Sequence, residues 1–153
     1  MSRYLLPVLF ILMNFLVCNA QTEKKPIVKN STSNPVIASV KSSAAFAEII
    51  LRKTELEAEL ESLLINYTEE FPKVKEMRFE SDSLKKAIGR LAMVKSAEAA
   101  KLTLALGKLM VRKAELETDL WNLLEKYDDN HPEVKRVRRK IEIYESAIKE
   151  ILG

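Results

Sequence analysis

The sequence predicts an all-α fold: tandem antiparallel helical hairpins with coiled-coil-like seams, in two copies of a 60-residue repeat. Three observations point there. Leucine, isoleucine and valine recur at steps of three and four from about residue 44 onward, the period of a helix with one buried stripe. Two polar turns, each ending in a proline, interrupt that period at equivalent places. Finally, Leu51–Leu91 aligns with Val111–Ile151 at one fixed offset. It pairs Arg52 with Arg112, Leu60 with Leu120, Tyr67 with Tyr127, Pro72 with Pro132, Val74 with Val134 and Arg78 with Arg138.

The first segment, residues 1–20, reads as a secretory signal peptide. Arg3 supplies a positive start, Tyr4–Val17 an apolar run shorter than a membrane span, and Cys18-Asn19-Ala20 a small-residue cleavage site. The expected location is therefore secreted, in the periplasm. The alternative is an envelope lipoprotein acylated on Cys18, although Val17 is bulky for the position before an acylated cysteine. Cys18 is the only cysteine, so cleavage after Ala20 leaves a chain with no disulfide or thiol chemistry. Residues 21–43 are rich in Ser, Thr, Asn, Lys and Pro without a period. They read as a flexible polar linker, with order beginning after Pro35.

Residues 44–93 form the first hairpin repeat and residues 94–153 the second. In the first, Ile49, Leu56, Leu60, Leu63 and Tyr67 mark one helix; Val74, Met77, Leu84, Ile88 and Leu91 mark its partner, with Ser81 in the one polar slot. In the second, Leu102, Leu106, Leu109, Leu116, Leu120, Leu123 and Tyr127 step by four and three around a polar Lys113. Val134, Val137, Ile141, Tyr144, Ile148 and Ile151 then follow without a gap.

The turns are written in Tyr67, Phe71 and Pro72 and again in Tyr127, His131 and Pro132. Proline suits the first helical position, where its missing N–H would have had no partner, and it drives the residue before it out of helical geometry. Such short connections make the helices antiparallel. Between the hairpins, Ala92–Lys101 has no Gly or Pro, yet its stepping lands on Lys95 and Glu98. A turn or kink near residues 93–97 is expected, with Ser96 able to cap a new helix. The alternative is one unbroken helix over residues 73–129, roughly 85 Å long at 1.5 Å per residue.

Composition excludes several functions. The formal net charge of +3, Arg3 included, is too weak to argue for nucleic acid. With three glycines there is no phosphate-binding loop. The acidic residues are expected on exposed faces, where Glu55, Glu57, Glu59 and Glu61 diverge instead of converging. The single histidine, His131, stands where the first repeat has Phe71, which favours a structural role in the turn over acid–base work. No catalytic, metal-binding or cofactor-binding residue is therefore expected, and no enzyme. The candidate interaction surface is Trp121, which has Glu61 as its counterpart, together with the basic run Lys135, Arg136, Arg138, Arg139 and Lys140. Trp121 reads as an extended edge of the bundle or a contact between chains; the basic run reads as a solvated face or an attraction for acidic glycan or lipid head groups.

The pattern E-L-x-x-x-L-x-x-L-L-x-x-Y-x-x-x-H-P-x-V-x-x-x-R-x-x-I, from Glu115 to Ile141, resembles the periplasmic coiled-coil hairpin of the polysaccharide chain-length determinant and co-polymerase family. Leu116, Leu120, Leu123, Leu124, Tyr127, His131, Pro132, Val134, Arg138 and Ile141 carry it; the first repeat keeps Leu56, Leu60, Leu63, Leu64, Tyr67, Pro72, Val74 and Arg78 but has Phe71 for the histidine. The resemblance covers the hairpins alone, since the family's flanking membrane helices and kinase segment have no counterpart. It implies assembly at the cell envelope, near polysaccharide export. The expected function is thus a non-enzymatic exported scaffold or oligomerisation module, partnered by its own copies or another coiled-coil envelope protein. The membrane would be reached only through a lipid on Cys18. The alternative is a soluble periplasmic holdase-type chaperone.

Overall fold

In a computed structural model that describes residues 35–153, five α-helices pack into one compact unit: α1 (Pro35–Lys41), α2 (Ala44–Leu64), α3 (Pro72–Ala92), α4 (Leu104–Leu124) and α5 (Pro132–Leu152). A 3-10 helix, Ser96–Lys101, joins α3 to α4, and there is no strand among the described residues. The four long helices are 21 residues each, and α4 and α5 begin 60 positions after α2 and α3. The expected signal peptide, Cys18 and most of the expected linker lie outside the described residues. The end of that segment is ordered from about Pro35, where α1 runs over residues 35–41 and buries Val40.

Local chemistry sets each boundary. The Ser43 hydroxyl donates to the Val40 carbonyl at 2.7 Å and accepts from the Phe46 N–H at 3.2 Å, closing α1 and opening α2 with one side chain. Thr103 caps α4 in the same way, accepting from the Leu106 N–H at 3.3 Å. Pro72 and Pro132 open α3 and α5 behind extended Phe71 and His131. A chain break between the hairpins is present, and the single long helix is not. The break is longer than the turn or kink expected at 93–97: Met93–Lys95 leave the helix, six residues form 3-10 turns, and α4 starts at Leu104. Ser96 caps nothing; it is the first residue of the 3-10 segment, and the cap falls to Thr103.

The helices pack as a bundle with α4 at its centre, touching α2, α3 and α5, whereas α5 packs chiefly on α4. Helices α2 and α4 run parallel. Near their starts the Ala45 N–H donates to the Leu102 carbonyl at 3.2 Å. A Cβ built on Gly107 would stand 2.9 Å from the Cα and O of Ala45 and from the Cβ of Glu48. Only glycine permits that approach. Both hairpins therefore turn at the same end of the bundle, with α1 and the connector at the other.

The seams hold in part. Ile49, Leu56, Leu60, Val74, Met77, Leu84, Leu91, Leu106, Leu116, Val134, Val137 and Ile148 are buried, as is Ser81. Leu102 is buried too, but in the connector. Leu63, Ile88, Leu109, Leu120, Leu123, Ile141, Tyr144 and Ile151 are half-buried, and Tyr67 and Tyr127 are exposed. The difference arises because α4 carries a second buried stripe, Gly107, Met110, Ala114 and Thr118, in addition to its seam with α5. Two isolated two-stranded coiled coils would not need one.

Charge follows the same division. Glu80 is buried, contrary to the expectation that every carboxylate is exposed. It accepts from the Arg52 Nε at 2.8 Å, and Arg52 also lies 4.0 Å from Glu115, joining α2, α3 and α4. That hydrogen bond raises the Arg52 pKa against the cost of burial, assisted by the charges of Glu80, Glu115 and Glu55. On the opposite face Glu145 of α5 meets Arg90 of α3 at 2.9 Å and Lys113 of α4 at 3.7 Å, which explains the polar slot at 113.

Candidate interaction groove between the hairpins

The two turns are built alike. The carbonyl of Leu63 accepts from the N–H groups of Asn66 and Tyr67, and that of Leu123 from Lys126 and Tyr127, all within 2.8–3.0 Å. Tyr67 stacks on Phe71 at 4.1 Å and Tyr127 on His131 at 4.0 Å, between ring centroids. Arg78 then reaches back to Glu69, and Arg138 to Asp129. Tyr67, Phe71, Pro72, Tyr127, His131 and Pro132 thus sit where a turn needs them. His131 adds what phenylalanine lacks: its Nδ1 accepts from the Glu133 N–H at 3.3 Å.

Trp121 lies near the end of α4, half-buried, with its ring stacked on Phe79 of α3 at 5.5 Å. The contact joins the second hairpin to the first, so the extended-edge reading is the one the geometry takes for the face of the ring on Phe79. Around the pair opens a groove of about 260 Å³ lined by Phe79, Ser83, Lys86, Glu117, Leu120, Trp121 and Leu124. Leu124 is 41% exposed. Ser83, Lys86 and Glu117 also line a smaller cavity of about 70 Å³ that continues toward Ala87, Arg90, Lys113 and Ile148. The groove is consequently apolar at the turn end and charged toward the connector, where Lys113 pairs with Glu117 and Arg90 with Glu145 while Lys86 has no ion-pair partner among the described residues, and Ile148 of α5 stops it. Sequence reasoning missed Phe79 and Lys86; the signal was available, because Phe79, Ser83, Lys86 and Arg90 keep one helical stripe at steps of four and three.

The basic run does not converge. Its five residues are exposed and spread over more than half the circumference of α5. Arg136 pairs with Glu133 and Arg139 with Glu142, each at 2.8 Å, and Arg138 with Asp129. Lys135 and Lys140 have no ion-pair partner among the described residues. Three of the five charges are thus met by acidic neighbours, and such exposed pairs are each worth about 0–1 kcal/mol. A polar cleft on the other side, about 290 Å³, is lined by Arg52, Glu59, Lys73, Glu76, Glu80, Arg112, Glu115 and Asp119, among others; Arg52 pairs with Glu80, Lys73 with Glu76 and Arg112 with Glu115.

No protein-family model, curated protein or solved structure matches this chain. Among the described residues no helix is long and apolar enough to cross a membrane, and no group of three or more His, Cys, Asp or Glu residues could hold a metal ion. The groove is therefore the feature with the most to offer a partner. It combines aromatic and leucine side chains with an adjoining charge, the composition that anchors helical segments at interfaces.

Proposed function

We propose that this protein is a non-enzymatic helical scaffold that self-associates, exported to the cell envelope and serving an assembly there. The observation that carries the reading is the open groove of Phe79, Leu120, Trp121 and Leu124 between two otherwise closed hairpins. Aromatic and leucine side chains lining an open groove are the kind of surface on which a partner helix can anchor. The export part of the reading rests on Arg3, the apolar run and Cys18–Ala20, and the link to polysaccharide export on the hairpin resemblance from Glu115 to Ile141.

Trp121 is the only tryptophan, so its emission reports directly on the groove. Light scattering after gel filtration, read beside that emission over about 1–200 µM, tests the reading. Self-association predicts a rise in mass together with a blue shift as the indole leaves water. A monomeric mass with constant emission would refute it. Suppressed aggregation of a denatured outer-membrane protein by that monomer would then favour the chaperone.

A further inference from the structure

We infer that the groove receives the outer face of α5 from a second copy of the chain, in a head-to-tail contact. The inference rests on the self-association reading and names its partner surface. Ile143 is 56% exposed, on a side of α5 turned away from its buried residues Val134, Val137 and Ile148. It belongs to the stripe Arg139, Ile143, Ser146 and Glu150, which lines a shallow surface depression with Glu142 and Ala147. Within it Ile143 and Glu150 stand seven positions apart on one face, as Phe79 and Lys86 do along the groove wall.

Laid parallel to α3, the stripe matches the groove in both chemistry and register. Ile143 enters between Phe79, Trp121 and Leu124, small Ser146 passes over Ser83, and Glu150 arrives beside Lys86. The seven steps from Ile143 to Glu150 and from Phe79 to Lys86 each span about 10 Å of helix. Neither Lys86 nor Glu150 has an ion-pair partner among the described residues, and both are exposed, so each is available to the other. The lengths also agree. Ile148 closes the groove just beyond Lys86, and the α-helix that would lie in it ends at Leu152, just beyond Glu150.

The groove and the α5 face are different surfaces, so the contact is heterologous and each copy keeps one donor face and one acceptor groove for the next. Such a contact builds rings or filaments, the property a scaffold needs. One helix face is a small interface, so association in the micromolar range is expected.

A charge swap tests the contact in the full chain, with mass followed by sedimentation and folding by circular dichroism. Lys86→Glu and Glu150→Lys should each weaken self-association about tenfold or more by placing like charges together. The double variant, and equally a mixture of the two single variants, should restore it. Ile143→Asp should abolish it while leaving helicity intact, because the residue is exposed in the single chain. If the wild type assembles and these changes do nothing, the contact is wrong and self-association by another surface stands. If the wild type stays monomeric at about 200 µM, both readings fall.

Discussion

Gly107 and Gly89 both lie within helices, and the structure predicts opposite responses to the same substitution. At each, Gly→Ala gains about 1 kcal/mol in helix propensity and in lost freedom of the unfolded chain. At Gly89 a new methyl group would meet nothing within 4 Å, so the gain is kept. At Gly107 it would lie 2.9 Å from two backbone atoms of Ala45 and from the Cβ of Glu48. None of these can swing aside as a side-chain tip would. The starts of α2 and α4 must part by several tenths of an ångström, loosening Ala45, Leu106 and Ile49, all fully buried. Overpacking of this kind costs about 1–3 kcal/mol, and here about 2 kcal/mol, because it falls on rigid neighbours. Gly107→Ala should end about 1 kcal/mol less stable than wild type and about 2 kcal/mol below Gly89→Ala. For a domain of this size that separates the two melting temperatures by about 6–10 °C. Thermal and urea denaturation followed at 222 nm measure it, with wild type between the variants. If Gly107→Ala were as stable as Gly89→Ala, the close approach of the parallel helices would be refuted.

Three further outcomes follow from the same geometry. Ser96→Pro should leave stability within about 0.5 kcal/mol of wild type, since Lys95 before it is already extended (ψ 147°) and Ser96 is a first helical position; in an unbroken helix it would cost about 3 kcal/mol. His131→Phe keeps a stack like that of Phe71 on Tyr67 but removes the acceptor of the Glu133 N–H, so urea unfolding should show a loss of about 0.5–1 kcal/mol. Glu145 pays for partial burial, which raises its pKa, but the Arg90 hydrogen bond and the charges of Arg90, Lys113 and Lys149 outweigh that and hold it below the usual glutamate value of 4.5. A depressed carboxylate stabilises the fold above the unfolded pKa and loses that contribution as pH falls through the folded one. Unfolding of Glu145→Gln should therefore depend less steeply on pH below 4.5 than the wild type, and an unchanged slope would contradict the Arg90–Glu145 contact.

Much of the fold was legible because large apolar residues and proline announce themselves. Leu56 and Leu60, Val134 and Val137 fix the buried faces, and Pro72 and Pro132 fix where α3 and α5 begin. The way the hairpins meet was not legible. It depends on Gly107, Ala114 and Thr118, which are small and leave no mark in an apolar pattern, and on Glu80, whose burial is tolerable only because Arg52 reaches it from another helix. The α4 cap escaped for a related reason. Thr103 lacks the glutamate three residues on that would have completed a capping box, although Ser43 performs the same task at the equivalent place in the first hairpin. Trp121 was legible as a residue out of pattern; its partner Phe79 was not, because stacking across hairpins depends on the tertiary arrangement.

The direction of the two turns tests the account most directly. With Cys18 replaced by Ser, spin labels on Ile65→Cys and Glu125→Cys mark the two turn ends at exposed positions. Parallel α2 and α4 in contact place the labels about 15–30 Å apart by pulsed dipolar spectroscopy, allowing for neighbouring helix axes and the label arms. A continuous helix across the connector would put the turns at opposite ends, roughly 80 Å apart at 1.5 Å per residue, and a distance in that range would contradict the bundle.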